Sequence, residues 1–446
     1  MSRRMRLFPI QILAIGFALI ILIGGIFLSL PICNNSGEPI PFINGLFTST
    51  SASCVTGLVV YDTFSQYNFL GQFIILLLIQ VGGLGFMGIA MAFSFTLGSK
   101  ITLFQRSMLM ESISTLHIGG VVKTIRRMLI GTAAIESIGA IILAARFIPI
   151  VGFPQGIWYG IFHSVSAFCN AGFDLMGRFS PYSSLTDLAS DYIVNFTIMA
   201  LIVVGGIGFI VWNDIVDYRL DLRRYSLHSK IMLTFTAGLI VVSSIGFFFI
   251  EYNYAFSNLS LGDKAVASMF QAVSPRTAGF NTVDLTELST GGRFLTMLLM
   301  FIGAGPGSTG GGIKITTFVT IVLAIISYSK NYNDLSIYRR RLEDGAQRKA
   351  FCSASSYLAS VLVALLLFVI ANPTIPFDSC MFEILSAIGT VGLSLGVTTQ
   401  LGIFSKLILI TLMYCGRLGS IAVAVAIARK RLIPKISFPT EKIVIG

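Results

Sequence analysis

Four stretches of this chain read almost alike, and each ends on a glycine: Phe47–Gly57 (FTSTSASCVTG), Phe162–Gly172 (FHSVSAFCNAG), Met269–Gly279 (MFQAVSPRTAG) and Phe382–Gly392 (FEILSAIGTVG). A phenylalanine opens three of them and Met269 the other; a Ser-Ala pair sits midway in the same three. Leu58, Phe173, Phe280 and Leu393 follow the glycines, which lie 115, 107 and 113 residues apart. A period this regular means one structural unit written four times, so whatever surrounds the strips must also be built four times. In a membrane, a fourfold unit suggests a ring around a pore.

Composition supplies the membrane. With 54% hydrophobic residues, 11% charged residues and a mean hydropathy of +0.84, the chain lies outside the range of soluble domains. Apolar runs of roughly 20 residues, the length a bilayer demands, fall at about 9–31, 69–97, 125–148, 190–212, 228–250, 293–328, 352–371 and 404–428. The first follows Arg3, Arg4 and Arg6 without a cleavage site and reads as a retained span, not a signal peptide. With eight spans, 23 of the 31 Lys and Arg residues fall on one side, which makes that side cytoplasmic and places both termini there. The net charge of +11 is then mostly topology and contact with anionic lipid. No basic stretch is interleaved with aromatics as nucleic-acid binding requires, so no nucleic-acid partner is expected. The expected fold is an all-α membrane protein of four tandem span–pore-loop–span units, eight transmembrane helices arranged pseudo-fourfold around one pore, with units at 1–98, 99–213, 214–328 and 329–446.

Each strip follows a helical segment too short to cross, at about 42–53, 157–168, 262–273 and 378–388. Non-helical backbone is tolerated at membrane depth only when it lines a cavity or is buried in protein. Glycine permits backbone geometry closed to other residues, so carbonyls of Cys54, Val55, Thr56 and Gly57, of Cys169, Asn170, Ala171 and Gly172, of Arg276, Thr277, Ala278 and Gly279, and of Gly389, Thr390, Val391 and Gly392 can turn toward an axis. Four such strips offer oxygen rings that replace the hydration shell of an alkali cation. The short helices aim their negative ends at the same cavity. Small residues in membrane helices are often mere packing contacts, but that reading does not account for four strips in matched phase.

The second spans repeat as well. Gly82-Gly-Leu-Gly85 and Gly205-Gly-Ile-Gly208 are near copies, and Gly303-Ala-Gly-Pro306 and Gly416-Arg-Leu-Gly419 hold the equivalent place. Arg417 therefore stands where the other units carry Gly83, Gly206 and Ala304. A charged residue in a span is expensive and usually functional, so Arg417 is expected to face the ion path. The third unit breaks its second span: one helix over 293–328 would be about 54 Å long, against about 30 Å of hydrocarbon. Gly303, Gly305, Pro306, Gly307, Ser308, Thr309, Gly310, Gly311, Gly312 and Lys314 form the break, a small-residue loop suited to gating, whereas a simple kink needs only the proline.

Other features point away from chemistry. Gly83–Gly88 and Gly305–Gly310 match G-x-G-x-x-G, but neither follows a soluble strand. His117, His163 and His228 are scattered, no catalytic constellation emerges, and the six cysteines show neither disulfide nor zinc spacing. Asp62, Asp174 and Asp284 follow three of the strips and can form an acidic vestibule, or serve as ordinary loop charges. Glu136 reads as a buried polar contact whose partner is not legible.

These motifs together, the four glycine strips, the GPGSTGGGIK stretch at 305–314 and the lone Arg417, resemble the Ktr/Trk/HKT superfamily of potassium transporters over essentially the whole chain. Eight spans with no extra N-terminal pair look most like a KtrB-type membrane subunit; a TrkH-type or sodium-permeable relative is the near alternative. The resemblance implies that Gly57, Gly172, Gly279 and Gly392 form the selective constriction, with potassium held by carbonyls of Val55, Thr56, Asn170, Ala171, Thr277, Ala278, Thr390 and Val391. A serine at the first of those glycines marks the sodium-selective branch, so Gly57 implies potassium preference. It further implies a gate at 303–314 contacted by Arg417, a homodimer, and a cytosolic RCK-type ring that binds nucleotide, met by the loops at 98–127 and 213–230 and the 429–446 tail. This chain carries no cofactor site of its own; potassium is cargo, driven by membrane potential, with sodium coupling as an added prospect. The residues three before each glycine, Cys54, Cys169, Arg276 and Gly389, are not uniform: two cysteines, an arginine and a glycine. A secondary transporter with a midplane site predicts two inverted halves, unlike four repeats of equal orientation, and an enzyme lacks clustered groups.

Overall fold

A computed structural model describes residues 9–85, 88, 121–219, 221–332, 334–419, 439 and 441. The expected loop at 98–127 and the 429–446 tail fall largely or wholly outside the described residues, as do His117 and the second halves of the 69–97 and 404–428 runs. The described chain is helical apart from one two-residue hairpin, β1 (Ser336–Ile337) against β2 (Arg340–Arg341). In order it runs through α1 (Pro9–Ser29), α2 (Phe42–Ser53), the single turn α3 (Thr63–Gln66), α4 (Phe69–Leu84), α5 (Val121–Val151), α6 (Phe153–Phe168), α7 (Tyr192–Gly206) and α8 (Phe209–Tyr218). It continues through α9 (Leu227–Ile250), α10 (Leu261–Val273), α11 (Thr290–Phe301), α12 (Ile315–Ser329), α13 (Ala346–Ala371), α14 (Phe377–Gly389) and α15 (Ile403–Leu418).

The helices fall into a recurring series: long apolar, short and buried, then a medium helix that stops. Gln11–Ser29, Val122–Val151, Leu227–Ile250 and Ala346–Ala371 are the described helices long and apolar enough to cross a membrane. Each packs against the short helix that follows it. Ser49 Oγ of α2 donates to the Ile21 carbonyl at 2.8 Å, and Ser164 Oγ of α6, at the same repeat position, donates to the Glu136 carbonyl at 2.7 Å. Small residues permit this approach: a methyl on Gly160 would meet the Ala140 carbonyl oxygen at 2.6 Å. The medium helices begin on side-chain caps, Asn68 for α4, Asp191 for α7 and Ser289 for α11, each accepting from an amide of the first turn.

One expectation needs correction. The break in the third second-half span is not peculiar to it. α4 ends at Gly85 (φ 78°), α15 at Gly419 (φ 88°), and α7 and α8 meet at Gly208 (φ 95°) with a bend of 96°. These are the last glycines of the Gly-Gly-Leu-Gly, Gly-Arg-Leu-Gly and Gly-Gly-Ile-Gly motifs, and a positive φ cannot continue a right-handed helix. Pro306 holds the equivalent place between α11 and α12, where the break lengthens into the loop 302–314.

Candidate ion pathway

The four strips meet, and their glycines close a ring. A side chain on Gly57 would strike the Ala171 carbonyl oxygen at 2.6 Å, one on Gly172 that of Ala278 at 2.7 Å, and one on Gly279 that of Val391 at 2.5 Å; one on Gly392 would strike the oxygen of Thr56, closing the circle. All four glycines have positive φ, between 69° and 95°, and so do Val55, Asn170, Thr277 and Thr390 two residues earlier, between 51° and 82°. Left-handed backbone at a β-branched residue is strained and persists only where its surroundings impose it.

Serines at the ends of the short helices fix the strips. Ser51 Oγ accepts the Gly57 amide at 3.0 Å and Ser386 Oγ the Gly392 amide at 3.1 Å; Ser166 Oγ donates to the Phe173 carbonyl at 2.7 Å and Ser274 Oγ to that of Phe280. These bonds expose a register error in the sequence alignment. Ser274 lies one residue nearer its glycine than its three counterparts do, and the phenylalanine four before it is Phe270. Phe47, Phe162, Phe270 and Phe382 are all fully buried, whereas Met269, aligned with them by counting back from the glycine, is 37% exposed. The third strip is one residue short.

On one side the ring opens into a cavity of about 530 Å³ lined by all four glycines and by Asp62, Asp174 and Asp284. These carboxylates also cap local structure: Asp62 accepts the Ser65 amide at 2.8 Å, Asp174 that of Met176 at 2.9 Å and Asp284 that of Thr286 at 2.8 Å. Burial pushes the Asp174 carboxyl up to about 7, with the nearby Asp62 charge adding to the shift.

On the other side the 302–314 loop lies directly against the strips. Asn170 Nδ2 donates to Thr309 Oγ1 at 2.9 Å, and Thr309 Oγ1 donates to the Phe168 carbonyl at 3.1 Å. A side chain on Gly310 would run into the Thr277 hydroxyl, and one on Gly311 into that of Thr390. Three consecutive loop residues thus face three of the four strips at the same repeat position. The loop also caps α7, whose last carbonyls would otherwise lack partners: Gly305 N–H donates to Gly206 O at 2.9 Å and Thr309 N–H to Gly205 O at 3.3 Å. Arg417 does the same for α4. Its guanidinium donates to the carbonyls of Gly82 and, at 3.1 Å, Gly83, and also to the Thr309 carbonyl. A cation suits a helix C-terminus, and here it ties that terminus to the loop. Lys314 Nζ donates to Gly310 O at 2.7 Å, pinning the loop on itself.

Of the remaining sequence candidates, Glu136 accepts from Gln80 Nε2 at 3.1 Å and lies 3.8 Å from the Cys169 thiol. Cys54 sits beside the ring strip fully buried, while Arg276 is buried with its Nε unpaired among the described residues. Gly389 closes α14, within reach of the Met300 carbonyl. All six cysteines are free. Two features escaped the sequence, the left-handed residues before each glycine and the capping duty of Arg417; the third glycine of each Gly-Gly-x-Gly motif was the available signal for the helix breaks.

Long apolar helices around a closed ring of four glycines define a mostly helical, membrane-type protein. The family described as "TrkH: Cation transport protein" matches residues 18–435, and the chain belongs to that family. Among curated relatives it is 39% identical to the potassium/sodium uptake protein NtpJ of Enterococcus hirae, over 99% of this chain and 98% of that one. It is 40% identical to the Ktr system potassium uptake protein B of Bacillus subtilis, over 95% and 94% of the two chains. The crystal structure of the potassium transporter TrkH from Vibrio parahaemolyticus shares the fold, with a TM-score of 0.74 over 96% of this chain and 86% of that chain at 18% identity.

Proposed function

We propose that the protein takes up potassium across the cell membrane through the glycine ring, with the 302–314 loop and Arg417 as an intramembrane gate. The observation that carries the reading is the ring itself: each glycine abuts the carbonyl of the next strip until the fourth returns to the first. Carbonyl rings of this kind replace a dehydrated cation's water shell. Beneath it, the buried oxygens Asn170 Oδ1, Thr277 Oγ1 and Thr390 Oγ1 have no hydrogen-bond partner among the described residues, and they suit a cation leaving the ring. In this reading α1, α5, α9 and α13 are the first spans of four units at 1–98, 99–213, 214–328 and 329–446. The second spans are α4, α7–α8, α11–α12 and α15 with their continuations, giving eight in pseudo-fourfold order with both termini cytoplasmic.

Two relatives carry potassium in their names, and one of them belongs to a named Ktr system, which supports a pore subunit working with a regulatory partner. We assign that partner to a cytosolic nucleotide-binding RCK ring acting on a homodimer. Sodium as a second ion is favoured by the name of NtpJ alone. The test is potassium uptake in a cell lacking its own uptake systems, with Gly57→Ser alongside. Wild type restores growth at low potassium, and Gly57→Ser lowers the potassium-to-sodium uptake ratio at least about tenfold. A ratio unchanged by the serine rejects the ring as the selective element.

A further inference from the structure

The residue directly after each buried phenylalanine is polar: Thr48, His163, Gln271 and Glu383. All four are buried, with exposures of 2%, 0%, 0% and 0%. A polar group at that depth costs free energy unless it is bonded, so its fourfold repetition requires a purpose. Two of the four hold the chain that leaves the ring. His163 Nδ1 lies 2.8 Å from the Tyr159 carbonyl and therefore carries the proton; Nε2 accepts the Leu175 amide at 3.3 Å. Glu383 accepts from Ser394 Oγ at 2.9 Å and from Thr398 Oγ1. Ser394 and Thr398 both line the cavity above the ring. Thr48 and Gln271 bond elsewhere, to Tyr67 and Thr296 at 3.2 and 3.4 Å. Because the ring runs Gly57, Gly172, Gly279, Gly392, the strips served by His163 and Glu383 face one another across it.

We propose that Glu383, with His163 opposite, is a positioning residue for ion selection. Each fixes the chain just beyond its glycine, so the pair braces one diameter of the ring against closing on a smaller ion. The inference rests on the ring being the selective element. On the fourth strip the bracing is two-sided: Ser386 Oγ holds the Gly392 amide from within, and Glu383 holds Ser394 from without.

The test is the ratio of potassium to sodium flux into liposomes carrying the purified protein, at equal amounts of folded protein. Glu383→Ala lowers the ratio about tenfold. Glu383→Gln keeps a carbonyl for Thr398 and an amide for Ser394 Oγ, and retains most of it. Thr398→Val removes one partner while leaving α14 intact; it lowers the ratio and adds nothing to Glu383→Ala. An unchanged ratio in Glu383→Ala overturns the proposal, as does an unchanged ratio in Thr398→Val if the alanine variant does not fold. Gly57→Ser separates the two claims. If it alters the ratio and the Glu383 variants do not, only the bracing is lost; if none alters it, the ring reading fails as well.

Discussion

Asn170 and Thr309 are joined by a 2.9 Å hydrogen bond from the amide nitrogen of one to the hydroxyl of the other. The bond links a ring strip to the broken helix beneath it, so in the proposed reading it couples the gate loop to the ring. Thr309→Val removes the acceptor for Asn170 and the donor to the Phe168 carbonyl while keeping the volume. Two lost hydrogen bonds of about 1 kcal/mol each correspond to roughly thirtyfold in the closed-to-open ratio. Potassium flux through the purified variant in liposomes should rise by about that factor; a flux equal to wild type would show the two bonds do not hold the loop.

Arg417 makes three such bonds, to the carbonyls of Thr309, Gly82 and Gly83. Arg417→Gln cannot span the same acceptors. Resting flux is expected to rise at least about tenfold, because charge-assisted bonds are the stronger ones. Flux at background with normal protein levels would instead make Arg417 a residue that keeps the path open.

The crossing of α7 over the end of α6 leaves no room for a methyl, since a side chain on Gly205 would run into the Phe168 carbonyl and approach Thr309 Oγ1 to 3.0 Å. Gly205→Ala should destabilise the protein by about 1–3 kcal/mol through overpacking. Gly238, on the exposed face of α9, has nothing within 4 Å of its added methyl. Gly238→Ala should raise stability by about 0.5–1 kcal/mol, the ordinary gain of alanine over glycine in a helix. Thermal unfolding in detergent compares the two, and equal melting temperatures would contradict the packing.

Asp174, in the connection outside the spanning helices, titrates near 7 because burial opposes its charge. Its carboxylate is present at pH 8 and largely protonated at pH 6. Uptake at limiting potassium should therefore fall as external pH drops through 7, and Asp174→Asn should flatten that dependence. Linkage fixes the sign for stability too. The folded value lies above the unfolded value of 3.8, so the contribution of this group is full below pH 3.8 and is lost as pH rises through about 7. Asp174→Asn should accordingly melt higher than wild type at pH 8, with the difference gone by pH 4.

The sequence revealed its repeat because glycine is irreplaceable where positive φ and a neighbouring carbonyl coincide, as at Gly57 and Gly392. The short buried helices were legible for a related reason: segments too short to cross, each running into a glycine strip, have few other uses. Phe270 was hidden because counting back from a glycine assumes equal strip lengths, and the missing residue in the third strip leaves no mark in composition. The helix ends at Gly85 and Gly419 and the bend at Gly208 were hidden by hydropathy, which stays high past each of these glycines. Arg417 stood out as a charge among apolar residues, but its acceptors are backbone carbonyls, and no side-chain pattern announces those.

The ring closes between parts of the chain made at opposite ends of synthesis. Lys406 Nζ donates to Asn44 Oδ1 across 362 residues, and Tyr414 donates to the Ala14 carbonyl across 400. A ribosome must therefore deliver nearly the whole polypeptide before Gly392 can meet Thr56. Until then the three earlier strips form an arc with one side missing. If the ring is the cation path proposed above, a partly made chain in the bilayer has no complete set of oxygens to strip a cation of its water, and biogenesis would proceed without opening a leak in the membrane that is receiving it.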